Sequence, residues 1–160
     1  MIRIRENFLT SKTALVFGWT GQAGSLISKS LLKKDFKVIG FSRSKLLVNQ
    51  NVVCKAIEKD IQEETGNIND FELIERIIKK YKPDEIYNLA AQSHVAVSFE
   101  VPEYTANADA IGALRILEAI KFHGLEKKTK FYQAGTSEMF GKVQEVPQTE
   151  KTPFYPRSPY

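Results

Sequence analysis

KTALVFGWTGQAGSLISKSLLKKD, residues 12–35, is the stretch that decides the fold. An apolar, β-rich run at 12–17 enters three glycines, Gly18, Gly21 and Gly24, at G-x-x-G-x-x-G spacing, and a helical pattern follows at once. Gly18 allows a tight exit from the strand, Gly21 lets a backbone approach a pyrophosphate, and Gly24 permits close packing of helix on strand. The helix N-terminus then offers amide donors and the positive end of a dipole to phosphates. A glycine triplet alone also fits a turn of no function. Its position between a strand and a helix points instead to dinucleotide binding.

Outward from this unit the alternation continues. Further β-rich runs are FKVIGF (36–41), NVVCKAI (51–57), EIYNLA (85–90) and KFYQA (130–134). Helical patterns with apolar residues at i, i+3 and i+4 lie in 23–35, 69–82 and 105–124. Strands almost free of polar residues are buried on both faces, as in a parallel sheet covered by helices. The expected fold is therefore α/β, a doubly wound, Rossmann-like parallel sheet. Residues 1–11 read as an N-terminal extension and 12–160 as the dinucleotide-binding domain. In the last helical pattern Ala106, Ala110 and Ala113 are expected to face the sheet.

Composition sets bounds. The chain has 160 residues, 42% hydrophobic and 26% charged, with a net charge of +4. The cations are scattered along helices, which speaks against nucleic-acid binding and suits a phosphorylated ligand better. The single cysteine, Cys54, excludes an internal disulfide and a cysteine metal cluster, and its apolar setting reads as a buried small residue. No stretch has the length of a membrane span, and MIRIRENFLTSK lacks the apolar region of a secretory signal, so a cytoplasmic location is expected. His94 follows the fourth strand without a second ligand at metal-binding spacing; it reads as a loop-fixing residue. His123, before Gly124, reads as a partner for a helix C-terminus.

The end of the second strand discriminates between cofactors. An acid there would bind a ribose 2′-hydroxyl, but the sequence is GFSRSK (40–45), with Arg43 and Lys45. Cations favour a 2′-phosphate, so NADP is expected rather than NAD, with a solvated loop charge as the alternative.

After the fifth strand comes YQAGTSEMFG (132–141), and after a polar, proline-rich loop, YPRSPY (155–160). These two segments, the glycine turn and YNLAAQSHVAVSFEVPEYTANADAIGALRILEAI (87–120) closely resemble the GDP-mannose 4,6-dehydratases, extended short-chain dehydrogenases/reductases. The resemblance covers almost all of 12–160, about the first half of a family member, and implies a sheet truncated before its last strands and the substrate domain. Departures from the family fall at Trp19 and Ala23 in the turn, at Gly66-Asn67-Ile68, where Gly-Asp-Leu is usual near the adenine, and in a shorter, less basic loop after Arg43.

The resemblance implies a cofactor site of Gly18, Thr20, Gly21, Gln22, Gly24, Arg43, Asn67, Ile68, Leu89, Ala91, Ser93 and Tyr104, the last four flanking the nicotinamide and its ribose. It implies GDP-mannose as substrate and Thr136, Glu138 and Tyr160 as catalytic residues. Tyr160 would take the O4 proton, Thr136 would hydrogen-bond O4, and Glu138 would remove the C5 proton. From the residues alone, Thr136 could merely end a strand and Glu138 could cap a turn. A Thr-x-Glu order favours elimination over epimerisation or reduction, which need no C5 base. The family places a Lys four positions beyond the Tyr, at 164, so residues 1–160 by themselves are expected to be an inactive, at most dinucleotide-binding piece. A homo-oligomer is expected of the full-length enzyme.

Overall fold

The computed structural model describes residues 11–45 and 51–160; most of the expected N-terminal extension and the loop after Lys45 lie outside the described residues. The chain order is β1 (Thr13–Phe17), α1 (Gln22–Leu32), β2 (Lys37–Ser42), α2 (Val52–Ile57), β3 (Gln62–Thr65), α3 (Phe71–Tyr81), β4 (Glu85–Asn88), α4 (Val95–Glu100), α5 (Pro102–Ala106), a π-helical turn (Asn107–Ile111), α6 (Gly112–Phe122) and β5 (Lys130–Gln133). The strands form one parallel sheet in the order β3-β2-β1-β4-β5, the doubly wound arrangement expected from the alternation.

Strand alternation divides the core into two layers. Leu15 and Phe17 of β1 join Ile39, Phe41 and Ile86 on one face, under Ile74, Ile77 and Ile78 of α3 and Ile116, Ala119 and Ile120 of α6. Ala14 and Val16 turn to the other face with Val38, Trp19, Leu31, Cys54 and Ile57. Each fully buried aliphatic side chain contributes about 1.5–3 kcal/mol, so the ring of isoleucines on the first face is a large share of the stabilisation.

Helix α3 shows how local sequence fixes an element. Asp70 caps it, accepting from Leu73 N–H at 3.0 Å. Ile74, Ile77 and Ile78 recur on its buried side, and Lys79 and Lys80 sit at its carbonyl end. Lys82 ends it in the left-handed conformation, φ 42°.

Three expectations need correction. Residues 51–57, with their β-branched valines, were expected to be a strand but form α2. Asn51 caps this helix, accepting from the N–H groups of Val53 and Cys54 at 2.9 and 3.3 Å. Only Cys54 and Ile57, one turn apart, are buried, so packing overrides β propensity. The third strand is instead Gln62–Thr65, a polar segment at the sheet edge. Charge suits an edge that must not recruit another strand. Lys80 Nζ lies 2.8 Å from Glu64 Oε1, and the Tyr81 hydroxyl also donates to that carboxylate. Burial pushes the Glu64 carboxyl up, but the Lys80 and Tyr81 donors outweigh it and hold it below the usual carboxylate range.

The third correction concerns the helix after α4. Ala106 and Ala110 are exposed, whereas Thr105, Ala108, Gly112, Ile116 and Ala119 are buried. Ala113 is half-buried, and the buried positions recur three or four residues apart from Thr105 to Ala119, so the inward face lies about one position away from the expected alanines.

Candidate functional site

Gly18 ends β1 with φ +75°, and a Cβ there would lie 2.9 Å from the Leu89 carbonyl, so both conformation and space require glycine. Its N–H donates to Phe41 O at 2.9 Å, fastening the turn to the end of β2. Gly21 precedes α1, and its N–H donates to Gly18 O at 3.0 Å. Trp19, the departure inside the turn, does not face this space. Its indole is 1% exposed and packs over Gly40, where a Cβ would come within 2.7 Å of the ring.

A cavity of about 590 Å³ opens at the carboxyl ends of the strands, the place where open α/β sheets hold ligands. Gly18, Thr20 and Gly21 form one wall, and Ser42, Arg43, Asn51 and Val52 flank it. Asn67 and Ile68 line it after β3, and Leu89, Ala91 and Ser93 after β4. Tyr104 and Ala108 complete it. Ten of the twelve expected cofactor residues thus share one cavity; Gln22 and Gly24 do not line it. Gly24 is buried against the turn. The volume is within the ordinary range for a ligand site, and the first turn of α1, beginning at Gln22, can offer its backbone amides to phosphates.

Arg43 Nη1 donates to the Tyr104 hydroxyl at 3.5 Å across the cavity. Behind it, the Ser42 hydroxyl donates to Glu63 Oε1 at 3.0 Å, so the sheet brings a carboxylate close to the second strand that the local sequence did not show. Asn67 Oδ1 accepts from Asn69 N–H at 3.0 Å and so orders the turn beside Ile68. Asn51 and Val52 were missed because their segment reads as a strand. An Asn directly before an apolar helical pair, Cys54 and Ile57, was the available signal.

The loop after β4 is braced from the π turn. Asp109 Oδ1 accepts from Gln92 N–H at 2.7 Å, and Gln92 Nε2 donates to His94 O and Thr105 Oγ1 at 3.1 and 3.3 Å. Burial outweighs the Gln92 amide and holds the Asp109 carboxyl above its usual range. His94 caps α4, its Nδ1 accepting from Val97 N–H at 3.4 Å. It fixes this loop, and no group of potential metal ligands exists among the described residues. His123 Nε2 lies 2.7 Å from Glu75 Oε1 at the carbonyl end of α6, joining that helix to α3.

Thr136 and Glu138 lie in the turn after β5, where Thr136 Oγ1 accepts from Glu138 N–H at 3.1 Å. Both are half-buried, as is Tyr160, and none of the three lines the cavity. The long loop folds back: Tyr155 N–H donates to Met139 O at 3.2 Å, and Lys142 N–H to Tyr155 O at 3.1 Å. The rings of Phe140 and Phe154 meet edge to face at 5.1 Å. The segment carrying Tyr160 is thereby fastened to the turn carrying Thr136 and Glu138.

Known proteins share this fold and much of this sequence. The structure resembles UDP-glucose 4-epimerase from Thermotoga maritima, solved with UDP-glucose, at TM-score 0.79 and 29% identity over 92% of this chain and 46% of that one. The Thermus thermophilus UDP-glucose 4-epimerase complex with NAD matches at TM-score 0.75 and 27% identity, with the same coverage. In sequence, the GDP-mannose 4,6-dehydratase of Vibrio cholerae is 54% identical over 159 residues, covering 95% of this chain and 42% of the relative. The corresponding proteins of Drosophila melanogaster and Homo sapiens are 51% and 47% identical over 93% and 92% of this chain. The chain spans about two fifths of the length of these relatives (42, 40 and 41%). The family model for GDP-mannose 4,6 dehydratase matches residues 15–160, from the first strand through the glycine turn and cavity to Tyr160, and the chain belongs to that family.

Proposed function

We propose that this protein is a cytoplasmic, NADP-dependent GDP-mannose 4,6-dehydratase, converting GDP-mannose to GDP-4-keto-6-deoxymannose and water. The observation that carries this reading is the cavity beneath the glycine turn, with Arg43 on its rim, together with the tie between the Thr136–Glu138 turn and the Tyr155–Tyr160 segment.

Gly18, Thr20 and Gly21 would receive the pyrophosphate, Arg43 the 2′-phosphate, Asn67 and Ile68 the adenine, and Leu89, Ala91, Ser93 and Tyr104 the nicotinamide ribose. When bound, the cofactor supplies the hydride acceptor for C4 and the hydride donor for C6. The protein's part is proton handling. Tyr160 removes the O4 proton, and Thr136 hydrogen-bonds O4 as it becomes a carbonyl. The ketone acidifies C5, whose proton passes to Glu138. The same carboxyl would protonate the departing C6 hydroxyl, which would leave as water, and the proton that Tyr160 took from O4 would be the one returned to C5, so that both groups end as they began. Residues 1–160 alone are proposed to bind dinucleotide without turnover. For the longer enzyme, the exposed Ile111, Leu114 and Leu117 beside the π turn support a homo-oligomeric contact.

The test uses residues 1–160 within a chain of the relatives' full length, incubated with GDP-mannose and NADP⁺. The expected product is the 4-keto-6-deoxy sugar nucleotide. Glu138→Gln should lower its formation about 100-fold or more, with cofactor affinity unchanged. A C4 epimer as sole product would place the protein with the epimerases instead.

A further inference from the structure

Asn51 makes contacts that a helix cap does not need. Its carboxamide oxygen accepts from Val53 and Cys54 N–H, which satisfies the first turn of α2. Its Nδ2 points the other way, donating to Thr20 O at 3.1 Å, Gly21 O at 3.4 Å and Ser25 Oγ at 3.2 Å. Thr20 and Gly21 form the turn proposed to hold the pyrophosphate, and Ser25 lies in the first turns of α1. One side chain thus joins two segments about 30 residues apart in sequence.

The joint has a mechanical consequence. Asn51 and Val52 both line the cavity, and Val52 is 87% exposed. Two further contacts tie that wall to the fold among the described residues. Cys54 Sγ meets Trp19 O at 3.6 Å beneath the turn, and Ile57 packs in the core. At the cavity mouth the Asn51 carboxamide is, among the described residues, a polar link between wall and turn.

We propose that Asn51 is a positioning residue for dinucleotide binding, its carboxamide locking the wall that begins at Asn51 to the phosphate-binding turn and so setting the width of the cavity mouth. The inference rests on the dinucleotide-binding reading above. An unlocked wall would have to be ordered by the ligand itself, and this cost would appear as weaker binding with unchanged chemistry once the site is filled.

Asn51→Asp separates the two roles. An aspartate still caps α2, and the Ser25 hydroxyl can turn to donate to it, but the carbonyls of Thr20 and Gly21 would face a carboxylate that has no hydrogen to offer. Asn51→Ser likewise keeps a capping oxygen and loses the reach. NADP⁺ is titrated into the full-length wild type and both variants, with thermal unfolding and kcat at saturating cofactor measured in parallel. For either variant, Kd should rise about tenfold, with kcat at saturation and cooperative unfolding retained. Kd within twofold of a binding wild type would overturn the positioning role. Loss of cooperative unfolding would also overturn it, in favour of a folding role. A wild type that binds no dinucleotide would instead overturn the reading on which the inference rests.

Discussion

Replacing Gly24 with alanine probes how closely helix α1 must lie on the glycine turn. A Cβ at this position would sit 2.2 Å from Gly18 O, 2.8 Å from Trp19 Cα and 2.9 Å from Gly18 C. All three are backbone atoms, so no rotamer change can relieve the clash. Restoring a contact of about 3.5 Å requires α1 to retreat by about 1 Å. Overpacking of this kind costs about 1–3 kcal/mol, and alanine's better helix propensity returns at most about 1 kcal/mol. A net loss of about 1–2 kcal/mol should lower the melting temperature by roughly 2–8 °C for a chain of this size. The retreat also withdraws the first amides of α1 from the pyrophosphate, so dinucleotide Kd should rise about tenfold or more. Trp19, the only tryptophan, lies in the turn and reports both unfolding and local change by its fluorescence. Gly124→Ala is the control: φ is +63° but nothing lies within 4 Å of the added carbon, so strain appears without a clash and Kd should not move. An unchanged melting temperature and Kd in Gly24→Ala would refute the packing argument.

Three further outcomes follow from the same geometry. The full-length protein should bind NADP⁺ about tenfold or more tightly than NAD⁺, and Arg43→Asp should erode that preference; equal affinities in the wild type would remove Arg43 from the 2′-phosphate site. Trp19→Ile should open a void over Gly40 and cost about 2 kcal/mol in urea unfolding while changing cofactor affinity little, because the indole faces the core. The Asp109 carboxyl is held above its usual range by burial, so the native state binds more protons than the unfolded chain and stability falls as pH rises through that window. Asp109→Asn keeps an acceptor for Gln92 N–H and should therefore raise the melting temperature at neutral pH, with the gain shrinking as pH falls below the ordinary carboxylate range. A gain independent of pH would show that ionisation of Asp109 carries no cost.

Much of this protein was legible along the chain because its signals are local. A strand, three glycines and a helix fix the opening unit, since only glycine fits at Gly18. The alternation of strands and helices fixes the parallel sheet, and the Thr136-Ser137-Glu138 cluster with its downstream tyrosine carries the chemical resemblance. Tertiary structure decided what depends on partners distant in sequence. VVCKAI became a helix because only Cys54 and Ile57 find a place in the core, and QEET became a strand because a polar edge can be completed by Lys80, Tyr81 and Ser42. The sheet and α3 decided which face of the last helix is buried, Thr105, Ala108, Gly112, Ile116 and Ala119 rather than the small alanines one position along. Asn51 reaching Thr20, and Tyr155 reaching Met139, are contacts of side chain or backbone across folded loops. Periodicity records which face of an element is apolar; which loop meets which is settled only when the layers have packed.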